Sequence, residues 1–253
     1  MTQTPIRTVE GDGFVHVILD HGVNAIDDEL LSALSDVLAT LRDAGSPPLI
    51  LESSHPRIFS PGWDLKALYG APRETVGAFL VRFNTVVTDL FAYPGPTAAA
   101  IGGHAIAGGC ELALACDFRI MAAGRSRIGL SEVNLGVPVP SAVLTMLRAR
   151  LSPMAVEDLV FHGDGCTAQR AHELGIVQTV VVDRSVVQMA EHELRTQRAK
   201  SPLGYRTIKR ALYREAWDAC REAVAGNADD FLRCWFDEAT QDRLAVVIRG
   251  LGG

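Results

Sequence analysis

The chain has 253 residues, is 48% hydrophobic and 21% charged, and carries a formal net charge of −6. These values suit one large globular domain, or one domain with a helical appendage. They give no basis for nucleic-acid binding, which leaves a basic footprint, although a local cationic patch could still meet an anionic ligand. Residues 1–10 are polar and lack the apolar core of a secretory signal. The longest weakly charged stretch, 94–116, contains His104, Glu111 and five glycines. It therefore reads as a buried strand and helix, with no membrane span. The five cysteines (110, 116, 166, 220, 234) are odd in number and lack metal-ligand spacing. Free thiols in a reducing cytoplasm, and no metal centre, are the expectation.

In chain order, Phe14 to Leu19 alternates around His16 and reads as a strand, followed by an irregular turn at Asn24-Ala25-Ile26. Asp27 is placed to cap a helix whose stripe is Leu30, Leu31, Leu34, Val37, Leu38 and Leu41, stopped by Gly45 and Pro47-Pro48. Leu49-Ile50-Leu51 is a short buried strand. Strand, helix and strand in that order predict a parallel crossover, hence an α/β fold. A tight bend with Pro61 and Gly62 spans 58–65, and the spacing of Val76, Leu80, Phe83, Val87 and Leu90 predicts a helix over 73–92.

Thr97 to Ile101 reads as a buried strand that Gly102-Gly103 breaks, and Gly108-Gly109 opens a helix running to Cys116. A strand follows at 117–121, then helices over 142–151 and 153–161. Thr167 caps a helix over 168–174 that Gly175 ends, and 176–182 forms a strand. From Arg184 onward only helices are predicted, over 184–199, 202–225 and 227–248. The chain thus divides into a core over 1–185 and a helical region over 186–253 that packs on the core or on a partner subunit.

The chemistry concentrates at Ile106-Ala107-Gly108-Gly109-Cys110-Glu111 and at Gly129-Leu130-Ser131-Glu132. A glycine turn entering a helix aims free backbone N–H groups at a ligand, and Glu111 stands in the first helical turn beside them. Such donors stabilise negative charge growing on a carbonyl oxygen. A carboxylate in an apolar pocket has a raised pKa and serves as acid or base, and two of them can divide the protons of one water. Taken singly, Glu111 could equally be a residue favoured by the helix dipole, and Glu132 a surface residue. Cys110 reads as core and His104 as a structural or pocket-lining residue.

Three blocks together resemble the crotonase, or enoyl-CoA hydratase/isomerase, superfamily. Phe59-Ser60-Pro61-Gly62-Trp63-Asp64-Leu65 is similar to that family's oxyanion loop. The run from Ala100 to Asp117, with Gly-Gly-Cys-Glu-Leu-Ala-Leu-Ala-Cys-Asp, is similar to its second signature, and Ile128 to Gly136 to its third. The resemblance covers most of residues 8–185. It implies a spiral of ββα units with a C-terminal helical region, assembled as a homotrimer or hexamer. It implies acyl-CoA thioesters as substrates, without metal or redox cofactor. It assigns the oxyanion-hole N–H groups to Trp63 and Gly108, the two carboxylates to Glu111 and Glu132, and CoA contacts to Ser60, Gly62, Asp64 and Leu65.

The departures bear on specificity. Pro61 and Trp63 replace small residues, Ser131 stands where the family often has proline, and Pro138-Val139-Pro140-Ser141 stands where many hydratases have a glycine-rich turn. The stretch from Gly129 to Val137 and the missing glycine turn resemble the Δ3,Δ2-enoyl-CoA isomerases, in which one carboxylate matching Glu132 moves the proton. Hydration by two glutamates is the leading expectation. Isomerisation by Glu132 alone is the alternative, and a non-catalytic acyl-CoA-binding subunit stands behind both. Lys66, Arg73, Lys200, Lys209 and Arg210 are candidates to meet CoA phosphates.

Overall fold

The computed structural model describes residues 4–182, 185–226 and 228–251. Strand β1 (Ile6–Glu10) pairs antiparallel with β2 (Val15–Leu19) at one edge of the main sheet. Helix α1 (Asp28–Asp43) follows, its first turn capped by the Asp27 carboxylate, which accepts from Leu30 N–H at 2.8 Å. Then β3 (Leu49–Ser53) runs parallel to β2. From there the chain repeats a pattern. A strand in the large sheet bends into a short strand of a second sheet, and a helix returns.

The first turn of this spiral is β3, β4 (Ile58–Ser60), the short α2 (Leu65–Leu68) and α3 (Arg73–Phe91). The second is β5 (Thr97–Ile101), β6 (His104–Ile106) and α4 (Gly108–Ala115). The third is β7 (Phe118–Ala122), β8 (Arg127–Gly129) and the single-turn α5 (Glu132–Leu135). Helices α6 (Ser141–Arg150) and α7 (Pro153–His162), strand β9 (Cys166–Thr167), helix α8 (Ala168–Glu173) and strand β10 (Thr179–Val181) complete the core. The large sheet has the order β1-β2-β3-β5-β7-β10 and the small one β4-β6-β8-β9. The C-terminal helices are α9 (Val186–Arg198), α10 (Pro202–Gly226), α11 (Asp229–Trp235) and α12 (Glu238–Gly250). No described helix is long and apolar enough to cross a membrane.

The two-residue period of the strands decides which faces are covered. Leu49, Leu51, Ala99 and Ile101 face the main core with α1, α3 and α4. Ile50, Ala98, Ala100 and Ile120 face the other way, where Val186, Ala190 and Leu194 of α9 cover them. Helix α9 therefore closes the open side of the sheet.

Several boundaries differ from the sequence expectation. The final helix divides into α11 and α12 at Phe236-Asp237, where Asp237 is extended (φ −66°, ψ 138°); residue 227 lies outside the described residues. Strand β10 starts only at Thr179, because the Ile176 and Val177 N–H groups turn back to Ala171 O. The small sheet was not anticipated, since strands of two or three residues carry too little periodicity to stand out.

Lys209, a candidate for CoA phosphate, belongs instead to a buried cluster. Its ammonium lies 2.6 Å from Asp117 Oδ2, the two side chains only 5% and 9% exposed. The same oxygen accepts from Tyr205 O–H at 2.9 Å and Thr97 N–H at 3.1 Å. Arg150 donates to Cys116 O at 2.6 Å, and its guanidinium lies over the rings of Phe91 and Tyr213, 5.2 and 5.4 Å from their centroids. This cluster clips α10 to the end of α4. Lys209→Met should leave Asp117 with the more distant Arg150, 3.7 Å away, and cost about 3 kcal/mol in urea unfolding. A loss under about 0.5 kcal/mol, the surface-substitution range, would remove the clip from this account.

Candidate active site

The site begins where the bend after β4 meets the start of α4. A Cβ on Gly109 would lie 2.3 Å from Ser60 O, so only glycine lets these two backbones touch. Gly62 sits at φ +96°, and a Cβ there would lie 2.9 Å from the Ala107 Cβ and 3.2 Å from Gly108 N. Ala107 caps α4 at φ 50°, ψ −125°, a backbone conformation strained for alanine. Its N–H donates to Gly129 O at 2.9 Å, which ties it to β8.

Neighbouring groups fix the bend. Asn24, buried at φ 59°, donates to Phe59 O at 3.1 Å and Ser53 Oγ at 2.7 Å. Ile26 N–H donates to Gly62 O at 2.8 Å, and Ile26 O accepts from Asp64 N–H at 2.9 Å. In a parallel bridge of that pattern, the N–H of the intervening Trp63 turns away from Ile26. Gly108 N–H heads α4, where the first donors have no intrahelical acceptor. Trp63 and Gly108 line one cavity of about 70 Å³ together with Glu111 and Glu132. That is room for several waters or a small organic group.

Glu111 and Glu132 come from different turns of the spiral and are 1% and 7% exposed. Glu111 Oε1 and Glu132 Oε2 have no hydrogen-bond partner. Burial raises the Glu111 pKa well above the ordinary carboxylate range, and the Glu132 charge and the hydrogen bond between the two groups raise it further. Burial also pushes Glu132 up, to about 7, against the lowering effect of backbone hydrogen bonds and of Glu111. Both carboxyl groups therefore hold their protons to higher pH than ordinary carboxylates, Glu111 the more strongly. The pair offers an acid and a base beside two backbone donors. Burial above all, then both glutamates, raises the Cys110 thiol well above its ordinary range and keeps it an uncharged core group.

The structure brings Trp63, Gly108, Glu111, Glu132 and Leu65 to one cavity. The side chains of Ser60 and Asp64 are engaged within the fold. Ser60 is fully buried, and its hydroxyl donates to Asn24 O at 2.7 Å and accepts from Gly62 N–H at 3.3 Å. Asp64 caps α2 by accepting from Lys66 and Ala67 N–H at 2.9 and 3.2 Å. His104 Nδ1 accepts from Arg127 N–H at 3.3 Å, a structural contact. Lys66 Nζ donates to Leu251 O at 3.1 Å, and Lys200 Nζ to Gln197 Oε1 at 2.9 Å.

Sequence reasoning missed the cavity's far wall. Phe231 and Trp235 of α11 close it together with Val137 and Pro140. The Trp63 indole makes edge contacts with Phe79 and Phe83 at 4.9 and 5.3 Å, and tilted contacts with Phe231 and Trp235 at 5.4 and 6.1 Å. The available signal was two aromatic residues four apart in a charge-rich tail, which marks a helix face seeking a partner.

The raised Glu132 pKa also fixes a sign for stability. Below pH 4.5 the group is neutral in both folded and unfolded chains; from there to about 7 only the unfolded chain ionises. Its contribution is therefore present at low pH and lost as pH rises through that window, by roughly 3 kcal/mol. Glu132→Gln should lose less stability than the native chain between pH 5 and pH 7.5 in urea unfolding. Identical pH dependence in the two proteins would contradict a buried Glu132 of raised pKa.

The chain is similar to known proteins over most of its length. The enoyl-CoA hydratase/isomerase family profile matches residues 12–242. The enoyl-CoA isomerase/hydratase fer4 of Mycosarcoma maydis is 31% identical over 219 residues, covering 82% of this chain and 80% of that protein. The human mitochondrial enoyl-CoA hydratase domain-containing protein 2 is 36% identical over 206 residues, covering 79% and 68%. The crystal structure of human mitochondrial delta3-delta2-enoyl-CoA isomerase has the same fold, with a TM-score of 0.88 over 98% of both chains at 22% identity. With the matched profile spanning both backbone donors and both carboxylates, this chain belongs to the enoyl-CoA hydratase/isomerase family.

Proposed function

We propose that this chain is an enoyl-CoA hydratase that adds water to a 2-enoyl-CoA thioester. The carrying observation is that the buried carboxyl groups of Glu111 and Glu132, both with raised pKa, line the same small cavity as Trp63 and Gly108. The thioester oxygen accepts hydrogen bonds from the Trp63 and Gly108 N–H groups, which form the oxyanion hole. The Glu132 carboxylate takes a proton from water as its oxygen bonds to C3. The double-bond electrons move onto the thioester oxygen, giving an enolate. Its collapse draws the Glu111 proton to C2. Water has then supplied one proton to Glu132 and C2 has received one from Glu111, so proton exchange within the pair restores the starting state. No metal or redox group takes part in this scheme.

Residues 1–185 serve as the acyl-CoA-binding core on this reading, and residues 186–253 complete the pocket and support assembly. The bend from Ser60 to Leu65 guides CoA as a scaffold, with Leu65 at the cavity wall. All five cysteines are unpaired, which supports a cytoplasmic setting. The alternative is isomerisation, in which ionised Glu132 alone carries a proton from C2 of a 3-enoyl ester to C4. It is favoured by the Pro138-Val139-Pro140 turn, whose Pro138 is followed by two residues that bear side chains where a glycine-rich loop would be open.

Crotonyl-CoA and a 3-enoyl-CoA, followed side by side by conjugated-enoyl absorbance, separate these readings. Loss of absorbance with crotonyl-CoA is expected, with kcat/KM rising as pH passes through about 7 and Glu132 ionises. Glu132→Gln and Glu111→Gln should each lower hydration by about 10²–10⁴. Gain with the 3-enoyl ester alone, retained in Glu111→Gln, would establish the isomerase. Tight thioester binding without turnover would leave a binding subunit.

We also propose assembly as a homotrimer or hexamer. Leu203, Ile208 and Leu212 of α10 and Phe161 of α7 are large apolar side chains left on the surface. Light scattering at micromolar concentration should give three or six times the chain mass, and a monomer would overturn the assembly.

A further inference from the structure

The space beside the two carboxyl groups is small, and part of its wall is braced. The cavity measures about 70 Å³. A water-sized group takes about 10–15 Å³ of such space, so there is room for about five to seven non-hydrogen atoms. A reacting 2-enoyl thioester needs places for its carbonyl carbon and oxygen, C2, C3 and the attacking water. That leaves about one or two further carbons. The apolar side chains left to face them include Leu135, Val137, Phe231 and Trp235. Phe231 and Trp235 are 5% and 1% exposed, so protein backs them. Their rings stack with centroids 6.0 Å apart, and both also pack on Trp63. Helix α11, which carries them, is fastened on both sides. Gln241 Nε2 of α12 donates to Trp235 O at 2.6 Å. On α3, a Cβ at Gly77 would lie 3.3 Å from Leu232 Cδ1, so α11 sits close where glycine stands. Such a wall gives way to a longer chain only by losing packed ring contacts.

We propose that Phe231 and Trp235 determine chain-length specificity and restrict the site to short 2-enoyl thioesters, of about four or five acyl carbons. The proposal rests on the acyl-CoA reading of the site and adds a substrate class to it. In an open apolar groove each added methylene would tighten binding about fourfold. Here the added methylenes meet a packed wall, and affinity runs the other way. Phe231 also lines a cavity of about 160 Å³ outside the site. Shortening Phe231 is therefore the change that adds room for a longer chain. Val137 also lines an apolar groove of about 750 Å³, the competing route for a long chain.

Calorimetric binding of butyryl-CoA and octanoyl-CoA, both saturated, tests the limit without requiring turnover. The native protein is expected to bind butyryl-CoA about tenfold more tightly than octanoyl-CoA. In Phe231→Ala that preference should disappear or reverse, because octanoyl-CoA gains and butyryl-CoA does not. Phe231→Leu and Trp235→Leu keep the wall apolar and should shift the ratio the same way by a smaller factor. Octanoyl-CoA bound by the native protein within about threefold of butyryl-CoA, or more tightly, would overturn the limit and send the chain past Val137. A native preference left unchanged in all three variants would also overturn the assignment to these two aromatics. Binding of both esters without preference removes the limit and keeps the acyl-CoA reading, whereas failure to bind either thioester removes both.

Discussion

The site depends on two strips of backbone that touch with no side chain between them. The donors it offers are peptide N–H groups, so they converge only if the bend after β4 and the start of α4 converge as backbone. Gly109 against Ser60 O makes that approach possible. The left-handed conformation of Ala107 then turns the Gly108 N–H out of the turn. Ala107 holds this costly conformation because its N–H is tied to Gly129 O and the facing loop is tied to Asn24 and Ile26. Strain of this kind persists where the surroundings over-determine it, and here they come from all three turns of the spiral.

The carboxylate pair imposes the opposite demand. Two ionised groups in an apolar pocket would repel each other and lack water, so the fold tolerates them by leaving a proton on one. The aromatic residues that close the cavity therefore also set its acidity. Phe231 and Trp235 exclude water from Glu111 and Glu132, and the same exclusion raises both pKa values. Those two aromatics belong to α11, which follows α10, and α10 is held to the end of α4 through Lys209 and Asp117. The cover over the pair thus belongs to a helical tail that an ionic clip from Lys209 to Asp117 holds to the end of α4.

Much of this was legible in the sequence wherever a local rule governed the outcome. The stripe of α1, its Asp27 cap, the length of α3 and the glycine entry to α4 all follow from period and capping. The two carboxylates stood out because each interrupts an apolar run. The small sheet stayed hidden, since β4, β6 and β8 have three residues each and owe their existence to pairing with one another. Lys209 looked free to meet a CoA phosphate because its partner Asp117 lies 92 positions away. The sequence does not tell what Ser60 and Asp64 hold: the Ser60 hydroxyl donates to Asn24 O and the Asp64 carboxylate accepts from Lys66 N–H.

Trp63 brings these strands of the argument together. A bulky residue in this bend looks obstructive, but the indole has a packed place of its own. It fills the space between Phe79 and Phe83 of α3 and Phe231 and Trp235 of α11. A small residue at 63 would leave a void there and loosen the one aromatic contact set that joins the loop, the core helix and the tail. The indole therefore fixes where α11 sits, and α11 fixes how far the cavity extends. Pocket size in this chain is decided jointly by residue 63 and the C-terminal aromatics, so a change at either end shifts both the acyl space and the desolvation that keeps a proton on Glu111.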